Sequence, residues 1–155
     1  MEENNTKTNE QPGLMIHNQY IKDMSLEIPM APQIFAEMNQ APSVHIDISM
    51  GNKKLEGEGN NYEVTLTVKM DADLKDKKLF IVELTYGAAI TLNVAQEHFE
   101  PIMFIEIPRL LFPFVRSIVA NSLSSAGLPA IMISPIDFVA MYNAKKAKEA
   151  EEAKK

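Results

Sequence analysis

The sequence predicts an α+β domain: an antiparallel sheet of about four strands, the last long and bent, covered by C-terminal helices. Three observations predict it. From Val44 onward, stretches with an apolar residue at every second position succeed one another across polar connectors. That pattern belongs to antiparallel strands with one covered and one wet face. The alternation then runs unbroken over sixteen residues, Leu79 to Val94, about three times an ordinary strand. Beyond it the apolar spacing changes to three and four, the period of a helix.

The elements are taken in chain order. Met1 to Gly13 is polar and poor in apolar residues, so residues 1–13 are expected to be a disordered tail ahead of one domain spanning 14–142. Leu14 to Ile28 reads as a strand with one wet face. Ile16, Tyr20, Met24, Leu26 and Ile28 share one parity, and His17, Asp23, Ser25 and Glu27 share the other. Asp23 and Glu27 therefore point outward together. Pro29 and Pro32 end this strand, and Gln33 to Met38 is at most one helical turn carrying Ile34 and Phe35. Val44 to Met50 alternates with Val44, Ile46, Ile48 and Met50 inward. The glycine- and asparagine-rich Gly51–Asn61 is expected to close a hairpin onto Tyr62–Met70. Asp71 to Lys78 reads as a charged connector.

In the long strand the even positions Phe80, Val82, Leu84, Tyr86, Ala88, Ile90, Leu92 and Val94 form an apolar wall, and Glu83, Thr85, Thr91 and Asn93 lie opposite. The phase does not slip at Gly87, so one strand with a glycine kink is expected rather than a hairpin. The wall must be covered by the chain's own helices or by another subunit. Residues 95–107 fit no single period. Leu110, Leu111, Phe114, Val115, Ile118 and Val119 then make a broad helical stripe that stops at Gly127 and Pro129. Ser134-Pro135-Ile136-Asp137 reads as the start of a last helix. Residues 143–155 read as a charged, fraying tail.

Composition narrows the function classes. The chain has 155 residues and no cysteine, which excludes disulfides and thiolate metal sites. Its start is no secretory signal, and no apolar run approaches the roughly 20 residues of a membrane span, so a cytoplasmic protein is expected. There are 15 basic and 21 acidic residues; the last eleven residues hold five Lys and three Glu, which leaves a body of 10 basic and 18 acidic, net −8. Such a body repels nucleic acid and anionic lipid and steers basic partners. His17, His45 and His98 lie on separate elements without metal-ligand spacing, and no phosphate loop, nucleophile elbow or zinc helix is present. Asp23, Glu27 and Glu83 are the one conceivable acid–base group, but all three fall on wet faces. Neither an enzyme nor a cofactor is expected. Ten methionines and no tryptophan suit an adaptable apolar surface and a homo-oligomer that keeps part of it open.

Four stretches carry a family resemblance. IKDMSLEIPMAP (Ile21–Pro32) resembles the opening strand of the SecB protein-export chaperones, and LFIVELTYG (Leu79–Gly87) resembles their central strand. LLFPFVRSIV (Leu110–Val119) is similar to the family's L-F-P-[YF]-x-R helix start, and GLPAIMISPIDFVAMY (Gly127–Tyr142) to its G-x-P…P-[VI]-[ND]-F run. The four lie in family order and span most of residues 14–142.

The resemblance implies a cytosolic homotetramer, a dimer of dimers. Such proteins hold unfolded precursors without nucleotide and deliver them to the export ATPase SecA. It implies that Asp23, Glu27, Ile81 and Glu83 form the SecA-binding face. It places the assembly-sensitive positions at Val82, Leu84 and Tyr86, and a client groove at Val44, Phe80, Phe138 and Tyr142. Val82 and Tyr86 stand where the family has cysteine and glutamine, which makes that face more apolar here. The alternatives are an export-independent holdase of the same fold, such as one serving a toxin–antitoxin system, and a small-ligand-binding α+β domain.

Overall fold

The computed structural model describes residues 13–155; the tail expected at 1–13 lies outside them except for Gly13. Four strands form one antiparallel sheet: β1 (Gly13–Glu27), β2 (Ser43–Lys54), β3 (Asn61–Leu74) and β4 (Lys77–Asn93). Their order across the sheet is β1-β4-β3-β2, which puts the two most apolar strands in the middle. A 3-10 turn (Gln33–Glu37) lies between β1 and β2, and buries Ile34. The helices come after the sheet: α1 (Gln96–Pro101), α2 (Ile107–Ser125) and α3 (Phe138–Glu152), with a wide π turn (Ile102–Glu106) joining α1 to α2.

The long strand holds as expected, with 17 residues and no break at Gly87. Its apolar wall is covered by the chain itself. Leu111, Val115, Val119 and Leu123 of α2 and Leu66, Val68, Val82, Leu84, Ala88 and Ile90 of the sheet form one core in which each is at most 1% exposed. Burying each large aliphatic side chain contributes about 1.5–3 kcal/mol, so this layer dominates the stability of the fold.

Several expected boundaries move. β2 runs on to Lys54 and β3 to Leu74, so the charged connector shrinks to a tight turn where Lys75 takes φ 57°. Residues 96–107 are helical, although Pro101 lies among them and Pro108 follows at once. The π turn explains the tolerance: the Ile107 N–H reaches back to the Ile102 carbonyl, widening the ladder just before Pro108 offers no donor. The last helix starts later than expected. Its cap is Asp137, whose carboxylate accepts from the Ala140 N–H at 3.0 Å, and Ser134 lies outside it. Residues 143–152, expected as a fraying tail, continue α3 as an exposed helix.

β1 departs from simple alternation. Its pairing with β4 shifts between Ile16 and Asn18 and again between Ile21 and Asp23, leaving His17 and Lys22 as extra residues. Each such bulge reverses the parity of the residues beyond it. Tyr20 therefore pairs with Gly87 on the wet face, not with Ile16 and Met24 on the covered one. Two reversals restore the original phase, which is why Asp23 and Glu27 still face water as expected.

Candidate functional site

The two faces of the sheet offer different chemistry. On the helix side α2 crosses β3 and β4 and leaves the margin of β2 open. Val44 and Ile46 consequently keep 38% and 42% of their surface exposed although they point toward the core side. The segment after Gly127 and the chain around Met38 close over this margin. They leave a cavity of about 220 Å³ lined by Met38, Pro42, Val44, Phe80, Leu128 and Ile131, almost wholly apolar. A bulge helps to build it: Ala72 pairs with Phe80 and Asp73 with Lys78, so Leu79 is extra, and Leu79 and Phe80 both line the cavity. Phe35, at 39% exposure, packs beside Gly127 and extends the apolar margin.

Of the four residues expected in a client groove, the structure brings Val44 and Phe80 together. Phe138 is buried elsewhere, its ring edge-on to Phe112 with centroids 6.0 Å apart. Tyr142 stacks on Phe104 at 5.8 Å and donates to Glu100 at 2.7 Å, an acceptor that pushes the phenol pKa up. Met38, Pro42, Leu128 and Ile131 escaped the sequence reading. They sit in irregular segments, where no periodicity marks which side chains converge.

On the opposite face, register brings the expected acidic group together. Glu27 lies opposite Ile81, Ser25 opposite Glu83, and Asp23 opposite Thr85. Asp23, Glu27 and Glu83 are exposed and Ile81 is half-buried. Asp47 on β2 pairs with Lys69 on β3, which pairs with Glu83. Among the described residues Asp23, Glu27, Asp47 and Glu83 form no salt bridge. Asp71 and Asp73 differ, because Lys78 holds both, at 2.6 and 2.9 Å. That ammonium keeps the Asp71 carboxyl below its ordinary range. His45 stands 3.7 and 3.8 Å from the same two carboxylates, a juxtaposition the sequence did not suggest. The single Lys78 ammonium offsets one of the two negative charges.

The middle of this face carries a second cluster that sequence reasoning missed. Glu63 of β3 is the one buried charged side chain among the described residues. Tyr20 donates to its Oε2, Lys22 Nζ lies 2.5 Å from its Oε1, and Lys53 Nζ lies 3.7 Å away. The Lys22 ammonium first, and the Tyr20 hydroxyl second, hold the Glu63 carboxyl below the usual range. Burial, with Glu63 as acceptor, pushes the Tyr20 phenol up to about 12.

The three positions expected to be sensitive to assembly, Val82, Leu84 and Tyr86, are 0%, 0% and 6% exposed within the single chain. The chain's own core covers them, the first of the two ways in which the strand wall could be covered. Tyr86 stacks on Phe114 at 6.0 Å, and outside it Phe114 and Leu110 of α2 remain 48% and 49% exposed. No described helix is long and apolar enough to cross a membrane.

Comparisons with known proteins agree with this fold. The family described as preprotein translocase subunit SecB matches residues 7–149. The protein-export protein SecB of Paramagnetospirillum magneticum is 45% identical over 145 residues, 92% of this chain and 91% of that protein. The one from Granulibacter bethesdensis is 40% identical over 159 residues, 97% and 93% of the two chains. A SecB-like chaperone of Mycobacterium tuberculosis, solved with a peptide from an antitoxin, shares the fold with a TM-score of 0.66 at 10% identity. The match covers 79% of this chain and 90% of that one.

Proposed function

This chain belongs to the preprotein translocase subunit SecB family, whose members are protein-export chaperones and not enzymes, and we propose that it works without nucleotide. On this reading it holds unfolded precursor proteins and hands them to the export ATPase SecA in the cytoplasm. The observation that carries the reading is the separation of two surfaces by the thickness of one sheet. An apolar cavity with an open margin lies on the helix side, and four carboxylates that form no ion pair among the described residues lie on the other.

The physical steps come from those surfaces. An unfolded client exposes apolar segments, and the cavity and its margin bury them at about 25 cal/mol per Å², without demanding a sequence. Val44 and Phe80 supply part of the lining. One cavity of this size takes only a side chain or two, so useful affinity needs several copies acting on one client. A homotetramer supplies them. Leu110 and Phe114 are among the apolar side chains exposed to meet another copy, whereas Val82, Leu84 and Tyr86 would act on assembly from beneath them. SecA would dock on the opposite face through Asp23, Glu27, Ile81 and Glu83, with a salt dependence set by the carboxylates. Forty to forty-five per cent identity to export proteins, against 10% to the chaperone bound to an antitoxin peptide, favours export over a toxin–antitoxin role.

The test separates the two faces. The purified protein should suppress aggregation of a non-native precursor in the absence of ATP. Glu83→Lys should weaken binding to purified SecA roughly tenfold, with client suppression unchanged. Equal loss of both activities would refute separate faces, and no suppression without ATP would refute the holdase reading.

A further inference from the structure

Where β2, β3 and β4 lie side by side, three side chains with metal-binding atoms converge on the open face. His45 of β2 lies directly opposite Asp71 of β3, and alternation puts Asp73 on the same side as Asp71. The extra residue Leu79 in β4 then sets Lys78 across from Asp73. His45 Nδ1 stands 3.7 Å from an Asp71 oxygen and 3.8 Å from an Asp73 oxygen. One ligand atom from each of the three residues lies within 4.8 Å of the other two.

Two features set this group apart from ordinary surface acids. It already seats a cation: Lys78 Nζ bridges the two carboxylates at 2.6 and 2.9 Å, on a flexible stem that is itself part-exposed. That ammonium carries one charge against two and keeps Asp71 ionised, ready to act as a ligand. The second feature is the imidazole. At 3.7 and 3.8 Å its Nδ1 is beyond hydrogen-bond reach of either carboxylate. A tetrahedral ion at about 2.0–2.2 Å from nitrogen and oxygen ligands, however, needs them about 3.3–3.6 Å apart. Both edges from His45 exceed that spacing by only a few tenths of an ångström. One imidazole beside two carboxylates also selects the class of ion, since calcium and magnesium prefer oxygen alone and zinc accepts nitrogen.

We propose that His45, Asp71 and Asp73 form a site for a zinc-class divalent ion, which enters by displacing the Lys78 ammonium and keeps water as its fourth ligand. The neutral imidazole gives its Nδ1 lone pair and the two ionised carboxylates one oxygen each, so the ion's two charges are balanced. The bound ion cross-links β2 to β3. His45 stands between Val44 and Ile46, the residues of the open apolar margin, so the link fastens the strand that carries this margin. An ion bound only by the folded chain stabilises it by mass action.

The test is calorimetric titration of zinc chloride into the metal-free, full-length protein, which should show one Zn²⁺ taken up per chain and a rise in melting temperature. His45→Ala alters a side chain that is 64% exposed and leaves the fold intact. It should weaken zinc binding at least tenfold, since even groups that stand behind a ligand are worth that much. Asp73→Asn, which keeps the shape and removes one charged ligand, should do the same. Lys78→Met removes the competing ammonium and should tighten binding, an effect that general attraction to surface acids does not produce. Co²⁺ in place of Zn²⁺ should give the visible absorption of a four-coordinate site, and His45→Ala should abolish it. Zinc uptake equal in the unaltered protein and in His45→Ala would be adventitious binding at the acids of α3 or at His17 and His98, and would overturn the proposal. Binding no tighter in Lys78→Met would overturn it too. So would no uptake by the unaltered protein, which would make Lys78 the permanent occupant.

Discussion

Along β4, alternate side chains of one strand are kept in order by opposite means. On the helix side Val82, Leu84, Ala88 and Ile90 have no exposed surface. Their order comes from dense apolar contact with α2, which is non-directional and insensitive to pH and salt. On the far side Glu83 is exposed and Thr85 and Thr91 are half-buried. There the order comes from directional bonds: Thr67 to Thr85 at 3.1 Å, Thr91 to Asn61 at 2.6 Å, and the cluster of Tyr20, Lys22 and Glu63. The contrast teaches where change is tolerated. The covered face holds the apolar core, whereas the open face carries the exposed charges of Asp23, Glu27, Asp47 and Glu83.

The sharpest way to break this contrast is at Leu84, which has no exposed surface. Leu84→Ala should cost about 2–5 kcal/mol in urea unfolding, through lost burial and the cavity left behind. A cost below about 1 kcal/mol would mean that the wall is not what stabilises the fold. Gly87→Ala probes the opposite face of the same strand. The new methyl meets the Tyr20 ring at 2.9 Å and the ring must move, so about 1–3 kcal/mol should be lost. The same measurement on Gly87→Ala in a Tyr20→Ala background should recover most of that loss; no recovery would place the strain elsewhere.

The smallest effect is acid sensitivity. Glu63 in the fold titrates below the ordinary value of 4.5, held down by Lys22 and Tyr20. A carboxyl lowered on folding contributes stability that is complete above its unfolded pKa and fades as pH falls toward the folded one. The stability advantage of the unaltered protein over Glu63→Gln should therefore shrink as pH drops below about 4.5. An advantage that stayed constant, or grew, would show that Glu63 acts on the fold through shape rather than charge.

Legibility differs from element to element for physical reasons. The long strand is readable because sixteen residues of strict alternation have no other solution, and the acids at 23, 27 and 83 are readable as a group because parity survives two bulges. Tyr20 is misplaced by its parity because a bulge costs one residue of phase and leaves no mark in composition. The helix before Leu110 is hidden because Pro101 and Pro108 argue against it, and the wide turn at 102–106 lies between them. The cavity is half legible. Val44 and Phe80 belong to periodic strands, while Met38, Leu128 and Ile131 come from irregular segments that converge only in space.

By itself the sequence determined the α+β class, the two-sided strand at the centre, the acidic outer face and, through four ordered motifs, the family. Each of these is a property of neighbours along the chain, where a period of two or of three to four residues settles which side a residue takes. Tertiary structure alone decided that α2 of the same molecule covers Val82, Leu84 and Tyr86, that a groove opens beside β2, and that one buried glutamate straps β1 across a bare glycine. Those depend on where elements distant in sequence come to rest, and the shape left between packed surfaces is not encoded by the pattern of either one.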